Sequence, residues 1–337
     1  MKKKILFRAD GNSKTGLGHL YRLLGLVEMI KDNYDFIYII NSRSVDSVIP
    51  KTIRVFKIPE EINLGDEPKW LSKNFTSKNH VIIADGYHFN SDYQKKIVEE
   101  GYSMIYIDDL AIEHMYANIV INHSISITER DFKKEAYTEL LLGTKYALIR
   151  PPFLKAIESE RNIEEINRAF VCFGGADPLK LSLKAVKALL KFEKIKQIEV
   201  ILGAAYQDIQ IYKLQEEFED KIRIHSNLSD VKMCNLMTSC NFAIAPASTI
   251  CYELCCVKVP ILGGYFVDNQ KKIYNGLIKH KAIIPGGDFS KYEVNDFEER
   301  IIEMLEFENY VSYLDQQKKL FDNSIKERFL NTIDQLC

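Results

Sequence analysis

Cysteine is missing from the first half of this 337-residue chain: all seven lie beyond position 171, at Cys172, Cys234, Cys240, Cys251, Cys255, Cys256 and Cys337. None forms a C-x-x-C pair, and neither His225 nor His280 stands at zinc-ligand spacing from a cysteine pair. The expectation is buried free thiols in a reducing cytoplasm and no metal. Neither sign of charge dominates, with 45 Lys and Arg against 47 Asp and Glu, so no nucleic-acid or anionic-membrane partner is expected. No run approaches the ~18 uninterrupted apolar residues of a membrane span, which argues against membrane insertion. Met1-Lys2-Lys3-Lys4 looks briefly like the start of a signal peptide, but Arg8 and Asp10 interrupt the apolar run that follows. There is no G-x-G-x-x-G of NAD enzymes, no P-loop lysine and no Asp-x-Asp, so no cofactor is expected. Internal repeats and low-complexity tracts are absent too.

What is present is a pattern of alternating strands and helices, written twice. The chain is long enough for two ordinary domains and, at 46% hydrophobic residues, can bury a core in each. Strands are predicted at 4–8, 36–40, 53–57, 80–84, 104–108 and 118–122, with helices at 17–31, 67–74 and 91–100. Several of the strands are unbroken apolar runs, as buried parallel strands should be. The pattern restarts at Ala169-Phe170-Val171-Cys172-Phe173. A helix to about 192 follows, then strands at 198–202, 222–224, 242–245 and 259–262, with helices from about 207, near 230–238 and from 249. The expected fold is α/β: two Rossmann-like doubly wound domains facing a central cleft. The expected division is a first domain over 1–150, a linker over 151–167 marked by Pro151 and Pro152, a second domain over 168–290, and two amphipathic helices over 291–337. The last of these helices is expected to cross back to the first domain.

In such sheets ligands sit at the carboxyl ends of the strands. The loops there carry Asp10 to His19, Asp85-Gly86-Tyr87-His88, Asp108-Asp109, Asn122-His123, Gly174-Gly175-Ala176-Asp177, Ala247-Ser248-Thr249 and Val267-Asp268-Asn269-Gln270. Solvated loops are polar in any case, so the list is a set of candidates. The most informative is Gly16-Leu17-Gly18-His19, between the strand Ile5 to Asp10 and a helix with Leu20, Leu23, Leu24, Val27 and Ile30 at helical spacing. Gly11-Asn12-Ser13 between them is turn chemistry. The two glycines allow a ligand close to the backbone. His19 then sits in the first helical turn, whose positive end favours the uncharged imidazole that a general base needs. The alternative is a glycine-rich turn with a satisfied surface histidine.

In the second half, Ala245-Pro246-Ala247-Ser248-Thr249 ends a strand and starts a helix. Ser248 or Thr249 can cap that helix, leaving N–H groups for a phosphate. Glu253, one turn on, can accept both hydroxyls of a ribose. An ordinary capped helix with a first-turn acid is the alternative. Gly174-Gly175 offers a second close approach for a ligand of dinucleotide size.

Together these residues resemble a known family, the UDP-2,4-diacetamido-2,4,6-trideoxy-β-L-altropyranose hydrolases of bacterial pseudaminic acid synthesis (PseG). The resemblance covers roughly 4–285. It rests on Phe7-Arg8-Ala9-Asp10, Gly16-Leu17-Gly18-His19-Leu20-Tyr21-Arg22, Asp85 with Tyr87, Asp108-Asp109, Tyr146-Ala147-Leu148-Ile149-Arg150, Gly174-Gly175-Ala176-Asp177, Ala247-Ser248-Thr249 with Glu253, and Asn269-Gln270, in that order. It implies a glycosyltransferase B-type (GT-B) fold and metal-independent hydrolysis of a UDP-sugar to UDP and free sugar. It implies that His19 is the catalytic histidine and that Tyr87 and Asn269 lie on the sugar and water side. Ser248, Thr249 and Glu253 are placed at UDP, and Asp10, Gly18, Arg22, Gly174 and Gly175 complete the implied binding set. One departure stands out: the family often has Asp-His-Tyr where this chain has Asp85-Gly86-Tyr87-His88, which bears on sugar specificity.

Two other functions compete with hydrolysis. A GT-B glycosyltransferase of surface polysaccharide synthesis would use the same nucleotide site but need an acceptor. A UDP-sugar-binding protein with a decayed site would not turn over. A metal site on Asp108-Asp109 is disfavoured, because adjacent residues at a strand end point to different faces.

Overall fold

The computed structural model describes residues 3–12, 16–203, 205–306 and 310–337. Ser13 of the expected turn, and Met1 and Lys2 of the basic N-terminus, lie outside the described residues. The chain divides into two compact units, 1–148 with 324–337, and 149–323.

The first unit is built on a parallel sheet. Its strands are β1 Lys4–Ala9, β2 Phe36–Asn41, β3 Val55–Ile58, β4 His80–Asp85, β5 Ser103–Ile107, β7 Ile119–Asn122 and β9 Glu139–Leu142. They lie in the order β3-β2-β1-β4-β5-β7-β9. Two short strands, β6 His114–Met115 and β8 Lys133–Lys134, pair apart from it. Residues Val81 to Ala84 are fully buried, which is why the strand is apolar without alternation. The helices α1 Gly18–Ile30, α2 Glu67–Asn74 and α3 Ser91–Glu99 connect the strands. Leu20, Leu23, Leu26, Val27 and Ile30 form the buried stripe of α1.

The second unit repeats the plan. Its strands are β10 Arg168–Cys172, β11 Gln197–Ile201, β12 Ile222–His225, β13 Phe242–Pro246, β14 Ile261–Tyr265 and β15 Ile284–Asp288, in the order β12-β11-β10-β13-β14-β15 and all parallel. Its helices are α4 Pro151–Ala156, α5 Leu181–Leu190, α6 Gln210–Glu217, α7 Asp230–Ser239, α8 Thr249–Cys256, α9 Lys271–Lys279, α10 Val294–Leu305 and α11 Tyr310–Leu320. The last helix, α12 Ile325–Asp334, belongs to the first unit. It buries Ile325, Phe329 and Ile333 there, and the Tyr34 hydroxyl donates to Asp334 at 2.6 Å.

Three local expectations are corrected. Pro151 and Pro152 begin a helix instead of marking a loop, since proline suits the first helical turn, where its missing N–H costs nothing. The C-terminal segment forms three described helices, not two. Strands β9 and β15 were not expected; both lie at sheet edges, and β15 carries Pro285, Gly286 and Gly287, which read as a turn. No described helix is long and apolar enough to cross a membrane.

Candidate active site

Each sheet reverses its winding direction between two central strands, and that reversal is where open α/β sheets bind ligands. In the first unit these strands are β1 and β4, which end side by side with Ala9 opposite Asp85. His19 follows β1 on the first turn of α1, and Asp85 and Tyr87 come from the end of β4.

Asp85 is fully buried and collects donors. Arg22 gives it Nε at 2.6 Å and Nη2 at 2.5 Å, and His19 Nδ1 lies 2.7 Å from its Oδ1. Arg22 Nη2 also approaches His19 Nδ1, at 3.2 Å, but it already donates to Asp85; the shorter contact, to a carboxylate that can only accept, assigns the imidazole proton to Nδ1 and leaves the Nε2 lone pair as the basic atom. Arg22 spans to a second acid, donating Nη1 to Asp109 at 2.6 Å. The Tyr87 hydroxyl donates to the same Asp109 at 3.3 Å, and the Tyr87 ring stands edge-on to His19 with centroids 4.6 Å apart. Burial works against the Asp109 carboxylate, but the Arg22 guanidinium overrides it and holds the group down at about 2. Asp108 turns the other way, accepting from Asn122 and the Ala111 N–H, and burial raises its carboxyl. The two adjacent acids thus do not converge, and no cluster of metal-ligating side chains exists among the described residues.

His123 is buried beside this group, its Nε2 3.9 Å from Asp109. Burial, reinforced by the Arg22 charge, pushes its imidazole down to about 4. An unfolded histidine titrates near ~6.5. Between those values the unfolded chain binds a proton that the native site refuses. Stability is therefore full above about pH 6.5 and falls as the pH drops toward 4, by about 3 kcal/mol from this residue. Urea unfolding at pH 7.5 and 4.5 measures the loss, and His123→Gln should flatten that part of the profile. An unchanged slope in the variant would assign the acid sensitivity elsewhere.

Arg22 and Asp10, both expected at the substrate, are engaged by side chains of the protein itself. Arg22 is committed to two carboxylates because a buried guanidinium needs them. Asp10 has both oxygens filled. Its Oδ1 accepts from the Asn41 N–H and the Ser44 hydroxyl, each at 2.7 Å, and its Oδ2 faces Arg8 Nη2 at 2.7 Å and His88 Nε2 at 3.1 Å. Gly18 starts α1 with open space where a Cβ would stand, so internal packing does not demand glycine there.

In the second unit the reversal falls between β10 and β13. Gly174 and Gly175 follow β10, and Ser248 and Thr249 follow β13. The two loops differ in their helix starts. Both oxygens of Asp177 accept the first amides of α5, from Leu181 at 2.8 Å and Ser182 at 2.7 Å, so the helix after Gly174-Gly175 carries its own anion. Ser248 is the N-cap residue of α8, but its hydroxyl turns back to the Pro246 carbonyl and makes no capping bond. The expected cap is therefore corrected, and Ser248 does not occupy the first amides of α8.

Glu253 departs furthest from expectation. It is buried, and Arg150 takes both its oxygens, Nε to Oε1 at 2.6 Å and Nη2 to Oε2 at 2.7 Å, while Nη1 reaches Asp230 at 2.7 Å. Burial raises the carboxyl and Arg150 opposes it. A carboxylate so enclosed needs a fixed partner, and a ribose cannot be the first one. Asn269 lies exposed in the turn Asp268–Gln270 after β14. Asp85, Asp109 and His123 were named among the strand-end loops, and Arg150 only within a resembling segment; the sequence reading assigned none of them a role at the site. Their signal was polarity at the ends of central strands; their pairing lay beyond local pattern.

No protein-family model matches the chain. It is 27% identical over 287 residues to an uncharacterised protein of Methanocaldococcus jannaschii, covering 82% of this chain and 58% of that protein. The chain thus spans little more than half the length of that relative. It is 27% identical over 285 residues to the UDP-2,4-diacetamido-2,4,6-trideoxy-β-L-altropyranose hydrolase of Campylobacter jejuni, covering 82% of this chain and 96% of the hydrolase. Among solved structures, MurG of Acinetobacter baumannii superposes with a TM-score of 0.68 over 99% of both chains at 9% identity. The spinosyn rhamnosyltransferase SpnG complexed with thymidine diphosphate gives 0.65 at 10% identity, over 99% of this chain and all of that one. The chain therefore has the GT-B fold, and over most of its length its sequence is similar to the diacetamido trideoxy sugar-nucleotide hydrolase.

Proposed function

We propose that the chain hydrolyses a UDP-linked 2,4-diacetamido-2,4,6-trideoxy hexose at the anomeric carbon, releasing UDP and free sugar for nonulosonic acid synthesis. The observation that carries this reading is His19, its Nδ1 fixed on Asp85 and its Nε2 left as the proton acceptor. That is the arrangement of an oriented general base. Water gives its proton to Nε2, its oxygen bonds to C1, and the C1–O bond breaks with the electron pair leaving on UDP. The first turn of α8, where Ser248 makes no capping bond, offers N–H groups and a dipole to the diphosphate as that charge develops. The SpnG complex, of the same fold, has a nucleoside diphosphate bound. Similarity to the hydrolase favours water as acceptor, while the fold is shared with transferases that use other acceptors.

Turnover in ¹⁸O-water separates the possibilities. The label is expected at C1 of the sugar with inverted configuration, read by mass spectrometry and by NMR before mutarotation. The phosphate loops offer mainly backbone donors, and attack on phosphorus would call for a cation or clustered basic side chains. Label in the β-phosphate, or release of sugar only when an acceptor is added, would replace the proposal.

A further inference from the structure

Strands β1 and β4 each deliver an aspartate to the carboxyl end of the first sheet, and each aspartate engages the histidine that follows the other strand. Asp85 at the end of β4 holds His19, which follows β1, at 2.7 Å. Asp10, just past β1, holds His88, which follows β4, at 3.1 Å. The proposed reaction uses the first pair and leaves the second without a task.

The second pair is nonetheless firmly built. Asp10 is pinned by the Asn41 N–H, the Ser44 hydroxyl and Arg8. Arg8 is itself buried and fixed by two bonds to Glu67 at 2.7 and 3.0 Å. Gly86 makes room for the ring: a Cβ there would lie 2.8 Å from His88 Cε1 and 3.0 Å from Nδ1 and from the Phe89 ring. His88 also packs on Phe89, with centroids 4.0 Å apart. Yet the His88 side chain stays 38% exposed. A histidine anchored this far into the scaffold and still open to solvent presents a defined polar atom. With the Nε2 proton given to Asp10, that atom is Nδ1, an acceptor.

We propose that His88 is a specificity-determining residue that accepts a hydrogen bond at Nδ1 from an N–H or O–H on the sugar of the substrate, with Asp10 as its positioning residue. This rests on the sugar-nucleotide reading of the site. An acetamido N–H is a donor of the required kind.

The test compares His88→Ala, His88→Gln and Gly86→Ala with wild type. His88→Ala should raise the KM of the UDP-sugar ~3–10-fold, the loss of one neutral hydrogen bond, with kcat and UDP affinity nearly unchanged. His88→Gln should recover most of it, because its amide can donate to Asp10 and still accept. Gly86→Ala keeps every titratable group but displaces the ring and strains the backbone between Asp85 and Tyr87, so it should raise KM at least as much as His88→Ala and lower kcat as well. An unchanged KM in a folded His88→Ala protein overturns the proposal, and so does an equal loss of affinity for UDP alone. A second readout needs no turnover: ¹⁵N NMR of the ring, with the His88 signals identified by their loss in His88→Gln. The free protein should show an unprotonated Nδ1 that moves on adding UDP-N-acetylglucosamine. A proton on Nδ1, or a signal unmoved at saturation, overturns the proposal. If wild type turns over no UDP-sugar, the hydrolase reading falls and this resonance still decides the role of His88.

Discussion

Replacing His19 by alanine is expected to lower kcat for UDP-sugar hydrolysis ~10²–10⁴-fold while leaving UDP affinity within a few-fold. The rate falls because the other carboxylate-held imidazoles do not stand in for it: His114 on Glu135 starts β6, His225 on Glu199 ends β12 in the second unit, and His88 on Asp10 is the one proposed to read the sugar. Asp109 is held ionised by Arg22 and is far too weak a base, at about 2, to deprotonate water near neutrality. His123 is buried and, at about 4, is also too weak a base. UDP affinity is spared because His19 belongs to the first unit, whereas the helix start proposed for the diphosphate belongs to the second. Single-turnover rates and calorimetry with UDP measure the two quantities separately. Near wild-type turnover in a folded His19→Ala protein would remove His19 from the chemistry.

The strands that position this site were readable because both faces of a parallel sheet are covered. Residues such as Ile5, Leu6 and Phe7, or Phe242, Ala243 and Ile244, are fully buried and must all be apolar. A polar residue at the end of such a run then stands out, which is how His19, Asp85, Tyr87 and Ser248 entered the list of strand-end loops. What local pattern could not carry was partnership. Glu253 reads as a first-turn acid free for a ribose, yet its partner Arg150 stands 103 positions away. Asp10 reads as a ligand residue, yet its oxygens are filled from positions 8, 41, 44 and 88. In each case burial sets the outcome: a charge removed from water takes whichever opposite charge the fold brings to it. Edge strands failed for the opposite reason. Only one side of β15 is paired, so Pro285 and two glycines fit it, and nothing apolar announces it.

The same logic of partnership makes Asp85→Asn the most revealing single change. It is expected to cost about as much as losing His19, ~10²–10⁴ in kcat, although it removes no atom that touches the reacting water. The Asp85 carboxylate accepts from Arg22 Nε, Arg22 Nη2 and His19 Nδ1, and it is fully buried. An amide keeps one acceptor oxygen and turns two N–H donors on whatever faces its other arm. If they face Arg22, donors oppose donors in a site closed to water. If they face His19, Nδ1 becomes an acceptor and the proton moves to Nε2, the atom that must receive one. Either way the base is misoriented or of the wrong tautomer. Because Asp85 and His19 act as a unit, the double variant should be no slower than the slower single variant. Arg22 retains Asp109 at 2.6 Å, so the fold has a fallback for its charge, and thermal unfolding of each variant checks that it holds. Rate losses that multiply in the double variant would show two independent contributions, and Asp85 would then no longer be the residue that orients His19.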